Sequence, residues 1–322
     1  MIICMALVIV LLMGYVSVAL HHLLYRPMMT SQNQPIIMNI NRLTTASSFV
    51  QTLKEKHLIE SASLFKAFIR LKGLSQQLKA GIYQIKVGES AQQFLYRVVD
   101  GDVLVESFRI IPGTTKEQIS KNLSDAPYLN YEPTDWQTIE GIHQSAEGLL
   151  LADTYYYDAG TSSKHILEQA YQHLNQLLEE SWRQRMPGLP YQTAYEMLIA
   201  ASIIEKETAI PKERRLIAGI IINRLRKHMP LQMDPTVIYA LGSQYHGTLR
   251  REDLQIDSPF NSYLHRGLPP TPIAMVDKDA IDAAAHPEPT DYLYFVATGN
   301  GSHHFSVNYE EQKQAIQYYL RK

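Results

Sequence analysis

The chain has 322 residues, with 30 Lys and Arg against 32 Asp and Glu and a single cysteine, Cys4. This near balance of charge excludes a broad basic surface, so no nucleic-acid partner is expected. One cysteine excludes an intramolecular disulfide and a cysteine-built metal centre.

Residues 1–20 contain no charged side chain. About 20 residues of helix span a hydrocarbon core of roughly 30 Å, and backbone in lipid must satisfy its own hydrogen bonds. Residues 1–22 therefore read as a transmembrane anchor. The alternative is a cleaved signal peptide with Ser17-Val18-Ala19 as its small-residue site. The apolar stretch is longer than a usual signal core, and Tyr15, Tyr25 and Arg26 suit an interface, which favours the anchor. Residues 23–35 read as a tether.

Residues 36–112 have the texture of a small α+β module. A first strand ends near residue 40, and residues 44–48 offer helix N-caps ahead of Phe49, Val50 and Leu53. A second helix is expected over 63–71. Residues 82–87 alternate like a strand, Gly88 turns the chain, and Ser90 with Gln93 forms a capping box that opens a helix to Val99. Asp100-Gly101 stops it. Residues 103–111 read as another strand, and Thr114 with Glu117 as a second capping box.

Residues 113–322 are expected to form a larger α+β domain. Helices are predicted over 163–182, 191–208, 214–226 and 310–320, with a strand over 292–297. The helix over 191–208 is apolar almost all round and reads as a buried central helix. Residues 228–275, rich in Pro, Gly, Tyr and Asn, read as loop.

Two carboxylates end the buried helix. On a helical wheel Glu205 lies about 20° from Leu198, on the apolar stripe. Glu207 falls about 200° from Glu205 and shares a face with Glu196, which reads as the wetter side. A carboxyl on an apolar stripe has its pKa raised by desolvation, as a general acid for glycosidic cleavage requires. The alternative for Glu205 is a buried ion pair with Arg214 or Arg224. Downstream, Gln232, Thr236, Asn261 and Tyr263 carry groups that hydrogen-bond sugar hydroxyls and N-acetyl groups, although each also serves ordinary turns. A metal site built from His286, His303, His304 and Asp234 is disfavoured, because neighbouring strand side chains point to opposite faces and no H-E-x-x-H spacing occurs. No metal and no cofactor are expected.

Seven segments in order, EGLLLADTYYY (147–157), ASIIEKET (201–208), INRL (222–225), LQMDPTVIYALG (231–242), FNSYLHRGLPPTPI (260–273), AAAHP (283–287) and YLYFVATGNGSHHFS (292–306), closely resemble the YceG-like endolytic murein transglycosylases. The resemblance extends to the layout, an anchor and a small LysM-like peptidoglycan-binding module ahead of the catalytic domain. It implies Glu205 as catalytic acid/base, with Glu147, Gln232, Asp234, Thr236, Asn261 and Tyr263 lining or supporting the cleft. It implies cleavage between N-acetylmuramic acid and N-acetylglucosamine, with 1,6-anhydro ends as product. A single carboxylate does both proton transfers. The expected setting is a bacterial inner membrane, crossed once, with the catalytic domain outside the cytoplasm. The partners implied are peptidoglycan glycan strands and, beside them, peptidoglycan synthases whose nascent strands it terminates. The chain departs from the family at Thr271, where Gly is usual, in the leucines of 149–151, and at Glu311-Gln312, where Glu-His is frequent. A non-catalytic peptidoglycan-binding scaffold for the synthases is the alternative function.

Overall fold

The computed structural model describes residues 2–29, 35–141, 143 and 145–320. Met1, residues 30–34 of the expected tether, and residues 142, 144, 321 and 322 lie outside the described residues.

The protein is a mixed α+β structure. In chain order it contains α1 (Ile2–Tyr25), β1 (Ile36–Ile40), α2 (Ala46–Glu55), α3 (Ala62–Leu71), β2 (Gly81–Ile85), α4 (Ala91–Asp100), β3 (Val105–Arg109), α5 (Lys116–Ser124), α6 (Gln137–Glu140), β4 (Thr154–Asp158), α7 (Ser163–Gln184), α8 (Ala194–Glu207), α9 (Pro211–Arg226), α10 (Asp234–Leu241), α11 (Lys278–Ala285), β5 (Tyr294–Ala297), β6 (His303–Ser306) and α12 (Tyr309–Leu320). The strands pair as β1–β2, β3–β4 and β5–β6. Two compact units result, one of residues 1–106 with 157–161, the other of residues 107–156 with 162–322.

In the first unit, α1 includes a stretch, Leu7–Tyr25, long and apolar enough to cross a membrane. The helix continues past residue 22, where the tether was expected. Leu23 and Leu24 are buried with Phe49, Phe65, Tyr83 and Phe94 in the core of this unit. The antiparallel pair β1–β2 sets Met38 opposite Tyr83 and Ile40 opposite Gly81. Its alternation buries Met38, Ile40, Tyr83 and Ile85 on one face, as a half-buried strand requires. The Ser90–Gln93 capping box opens α4, which buries Phe94, Leu95 and Val98 and stops at Gly101 in the left-handed conformation.

In the second unit, α7, α8, α9 and α11 pack together. Every residue of α8 from 197 to 204 is buried. The one hydroxyl among them, Ser202, donates to the Ile199 carbonyl (2.7 Å) and accepts the Ile273 N–H (3.0 Å), so the apolar surroundings leave no polar atom of it unmet. The capping box expected at Thr114 is one residue later, at Thr115 with Gln118. Thr114 instead donates its hydroxyl to the Ile111 carbonyl (2.7 Å), closing the turn that precedes α5. The expected loop over 228–275 contains α10, a short helix with Pro235 in its first turn. Strand β6, which carries the His303-His304 pair, pairs antiparallel with β5, and α12 packs against both.

Gly148 takes φ +72°, and a Cβ there would lie 2.3 Å from the Pro272 Cβ and 3.1 Å from the Ala274 carbonyl oxygen. Both the backbone conformation and the space demand glycine. Gly148→Ala is therefore expected to cost more than about 1 kcal/mol, read as a lower urea midpoint. An unchanged midpoint would mean that the 272–274 segment yields freely.

Candidate active site

The last turn of α8 carries both Glu205 and Glu207, and the structure sends them to different surroundings. A short connection folds α9 back onto α8 and brings Arg214 to Glu205, at 2.8 Å between guanidinium and carboxylate. The same guanidinium reaches Asp277 at 2.6 Å, and the Asp277 N–H donates to Glu205 (3.1 Å). Asp277 also caps α11 through the Ala280 N–H (2.9 Å). Two carboxylates thus share one cation. Burial pushes Glu205 up to about 7, against the pull of the Asp277 N–H and Arg214. Burial also opposes the charge on Asp277, but the Ala280 N–H and Arg214 outweigh it and hold that carboxyl below its usual range. The Glu205 side chain is only 5% exposed. The ion pair considered above as the alternative for Glu205 is the one present, with Arg214 as its partner.

Glu207 does not face a wet side. Its Oε1 is buried without a hydrogen-bond partner, and the residue lines a cleft of about 410 Å³ with Arg224, Gln232, Asp234, Tyr263, Tyr294 and His303. Burial, and then the nearby charge of Asp234, push Glu207 up to about 8. A wheel misplaces Glu207 because residues 197–204 are buried on every side, so no wet stripe runs along α8 from Glu196 to Glu207.

Around Glu207 the cleft wall is built from α9, α10 and the segment that follows. Asp234 opens α10 and accepts the Tyr263 hydroxyl at 2.5 Å. Burial and the Asp234 carboxylate both push the Tyr263 pKa up, so this phenol stays a donor. Gln232 is held in the left-handed region at φ 53°. Its N–H donates to the Ser262 carbonyl (3.0 Å), and its Oε1 accepts from Arg224 (3.0 Å). Arg224 also donates to the carbonyls of Pro230 and Leu231 (both 2.9 Å) and Leu293 (2.7 Å), which ties α9 to the cleft wall and to the start of β5.

The structure therefore brings Gln232, Asp234 and Tyr263 together, with Glu207 as the carboxyl beside them. It keeps four expected site residues out of the cleft lining. Glu205 is engaged by Arg214. Glu147 is buried and accepts the Lys116 N–H (3.0 Å) and the Tyr239 hydroxyl (3.2 Å), which fastens the start of α5. Thr236 donates to the Met233 carbonyl (2.7 Å) and meets the Ser262 hydroxyl (2.8 Å). Asn261 donates to the carbonyls of Leu254 (3.0 Å) and Ile256 (2.9 Å) and accepts the Tyr263 N–H (3.0 Å). Thr236 and Asn261 support the cleft from behind, holding the turn that presents Tyr263. Tyr294 was not named as a site residue, Arg224 was considered only as an ion-pair partner of Glu205 and His303 only as a metal ligand, although INRL and YLYFVATGNGSHHFS contain them.

On β6, neighbouring histidines diverge. His303 bonds Glu213 on α9 (2.7 Å), while His304 packs against Tyr319 on α12 with ring centroids 5.6 Å apart. Among the described residues, no group of three or more His, Cys, Asp or Glu is placed to hold a metal ion.

Residues 38–318 match the profile of the YceG-like family, and the chain belongs to that family. A Bacillus subtilis (strain 168) protein named endolytic murein transglycosylase is 31% identical, over 92% of this chain and 88% of its own length. A protein of the same name from Streptococcus pneumoniae serotype 2 is 25% identical, over 82% of this chain and 55% of its own. The crystal structure of a yceG-like protein from Listeria monocytogenes aligns with a TM-score of 0.55 at 27% identity, covering 87% of this chain and 99% of that one.

Proposed function

We propose that this chain is a membrane-held lytic transglycosylase that cuts within murein glycan strands, with Glu207 as its general acid. The observation that carries this reading is the state of Glu207. It is a carboxyl with a buried, unpartnered oxygen on the cleft wall, pushed up to about 8, next to the hydrogen-bonded pair Asp234–Tyr263. Such a group holds its proton at neutral pH and can deliver it to a glycosidic oxygen. Glu205 lacks that freedom, since its oxygens are already met by Arg214 and the Asp277 N–H. Its role here is to brace the end of α8.

The bond broken is that between N-acetylmuramic acid C1 and the N-acetylglucosamine oxygen. Glu207 protonates the leaving oxygen, and the muramic acid 6-hydroxyl attacks C1. A hydrolase of the usual kind needs a second carboxylate as nucleophile or as activator of water. Here the substrate brings its own nucleophile, so holding the sugar in the reactive shape supplies much of the rate. The proton leaving the 6-hydroxyl needs an acceptor in the cleft. The first unit, a strand-helix-helix-strand build continuous with α1, supports the reading of a LysM-like module held close to the membrane. An enzyme so placed meets strands as they are made. Peptidoglycan synthases are the neighbours we propose, and termination of strand growth is the consequence.

The test is the product. Glycan strands digested by the full-length protein should carry 1,6-anhydro-N-acetylmuramic ends by mass spectrometry. Ends that have taken up water would identify a hydrolase, and no cleavage by folded protein that still binds the strands would favour a binding role.

A further inference from the structure

We infer that His303, oriented by Glu213, is a second catalytic residue of this cleft and accepts the proton of the attacking hydroxyl. This rests on the transglycosylase reading above and adds a residue to it.

The observations are geometric. Glu213, in the first turn of α9, accepts three hydrogen bonds. They come from the His303 ring Nδ1 (2.7 Å), the His303 backbone N–H (2.9 Å) and the Thr208 hydroxyl (3.2 Å). Burial opposes charge on Glu213, but the His303 and Thr208 bonds outweigh it and hold its carboxyl below the usual range. An ionised carboxylate can only accept, so Nδ1 carries the hydrogen, and in the neutral form of the ring it is Nε2 that holds the lone pair. His303 lines the same cleft as Glu207. Nδ1 is the ring nitrogen that Glu213 occupies, which leaves Nε2 as the one available to a ligand. Thr208 directly follows Glu207, so the relay Thr208–Glu213–His303 ties the end of the acid-bearing helix to the β5–β6 hairpin. The ring is also packed, edge-on to Phe295 with centroids 5.3 Å apart. A base held by a carboxylate through its far nitrogen is the arrangement that activates a hydroxyl.

The charge balance favours this use. When Glu207 gives up its proton, the cleft holds two carboxylates, Glu207 and Asp234. An imidazole that takes a proton at that moment becomes a cation among anions, with Glu213 behind it. The step closes. The C1–O bond to the leaving sugar breaks and its electron pair takes the Glu207 proton. The 6-hydroxyl oxygen bonds to C1 and its proton passes to His303 Nε2. Solvent then returns that proton to Glu207, and no electrons are gained or lost.

The test uses full-length protein and purified glycan strands, with release of 1,6-anhydro ends as the rate. His303→Ala keeps the backbone N–H that Glu213 accepts, and His303→Phe keeps the ring packing. Both are expected to lose at least about tenfold in kcat with KM little changed. Added imidazole should restore part of the rate to His303→Ala and none to His303→Phe. A positioning role for the ring in the fold alone would give a lowered Tm and no rescue, and that result overturns the proposal. So does either variant retaining the wild-type kcat. Failure of the underlying reading looks different, because wild-type protein would then release no anhydro ends at all.

Discussion

Glu207→Gln is expected to abolish release of 1,6-anhydro ends, with a loss of about 10²–10⁴-fold or more, the usual worth of a general acid. The amide keeps the size of the carboxyl and cannot deliver a proton. It also removes a buried group whose charged form is disfavoured by burial and by Asp234, so Tm should stay the same or rise. The pH dependence follows from the same cause. The acid form is the active form, its pKa is pushed up to about 8, and activity should therefore persist through neutral pH and fall as pH rises through about 8. A wild-type rate that climbed steadily across that window would contradict a protonated Glu207.

Arg214→Met should unfold the protein more readily by roughly 3–5 kcal/mol, the cost of leaving buried charge without its partner. Glu205 and Asp277 would then face each other without a cation, held by the N–H groups of Asp277 and Ala280 and by their own side-chain contact. The guanidinium is 10% exposed and the Glu205 side chain 5%, so water cannot take its place without local opening. The measurement is a denaturant titration of the full-length protein. A change under about 1 kcal/mol would place this network among the weakly coupled surface pairs instead.

Much of the architecture was legible because it is written in local signals. The Ser90–Gln93 box, the stop at Gly101 and the alternation of β1 and β2 are read from neighbouring residues, and each appears where those residues place it. Short elements were harder. The helix α10 begins on Asp234-Pro235 within a run of turn formers, and β6 gains its identity only from its pairing with β5.

The site divides in the same way. Two acids at the end of an apolar helix mark a candidate place, but choosing between them needs tertiary contacts. A wheel assigns faces only if one wet stripe runs along the helix, and in α8 the buried run of residues 197–204 interrupts it. The proposed choice rests on Arg214, nine positions beyond Glu205 and across the turn into α9. Thr236 and Asn261 show a further limit. Hydroxyl and amide groups that could bind sugar are spent on holding the 261–263 turn, a distinction that residue type does not carry.

The most direct test of the account is a side-by-side assay of Glu205→Gln and Glu207→Gln in the full-length protein, following anhydro-end release from glycan strands at neutral pH. The account predicts no detectable release by Glu207→Gln and measurable release by Glu205→Gln, whose amide oxygen can still accept from Arg214. Activity in Glu207→Gln together with its loss in a folded Glu205→Gln would contradict it and return the acid role to Glu205.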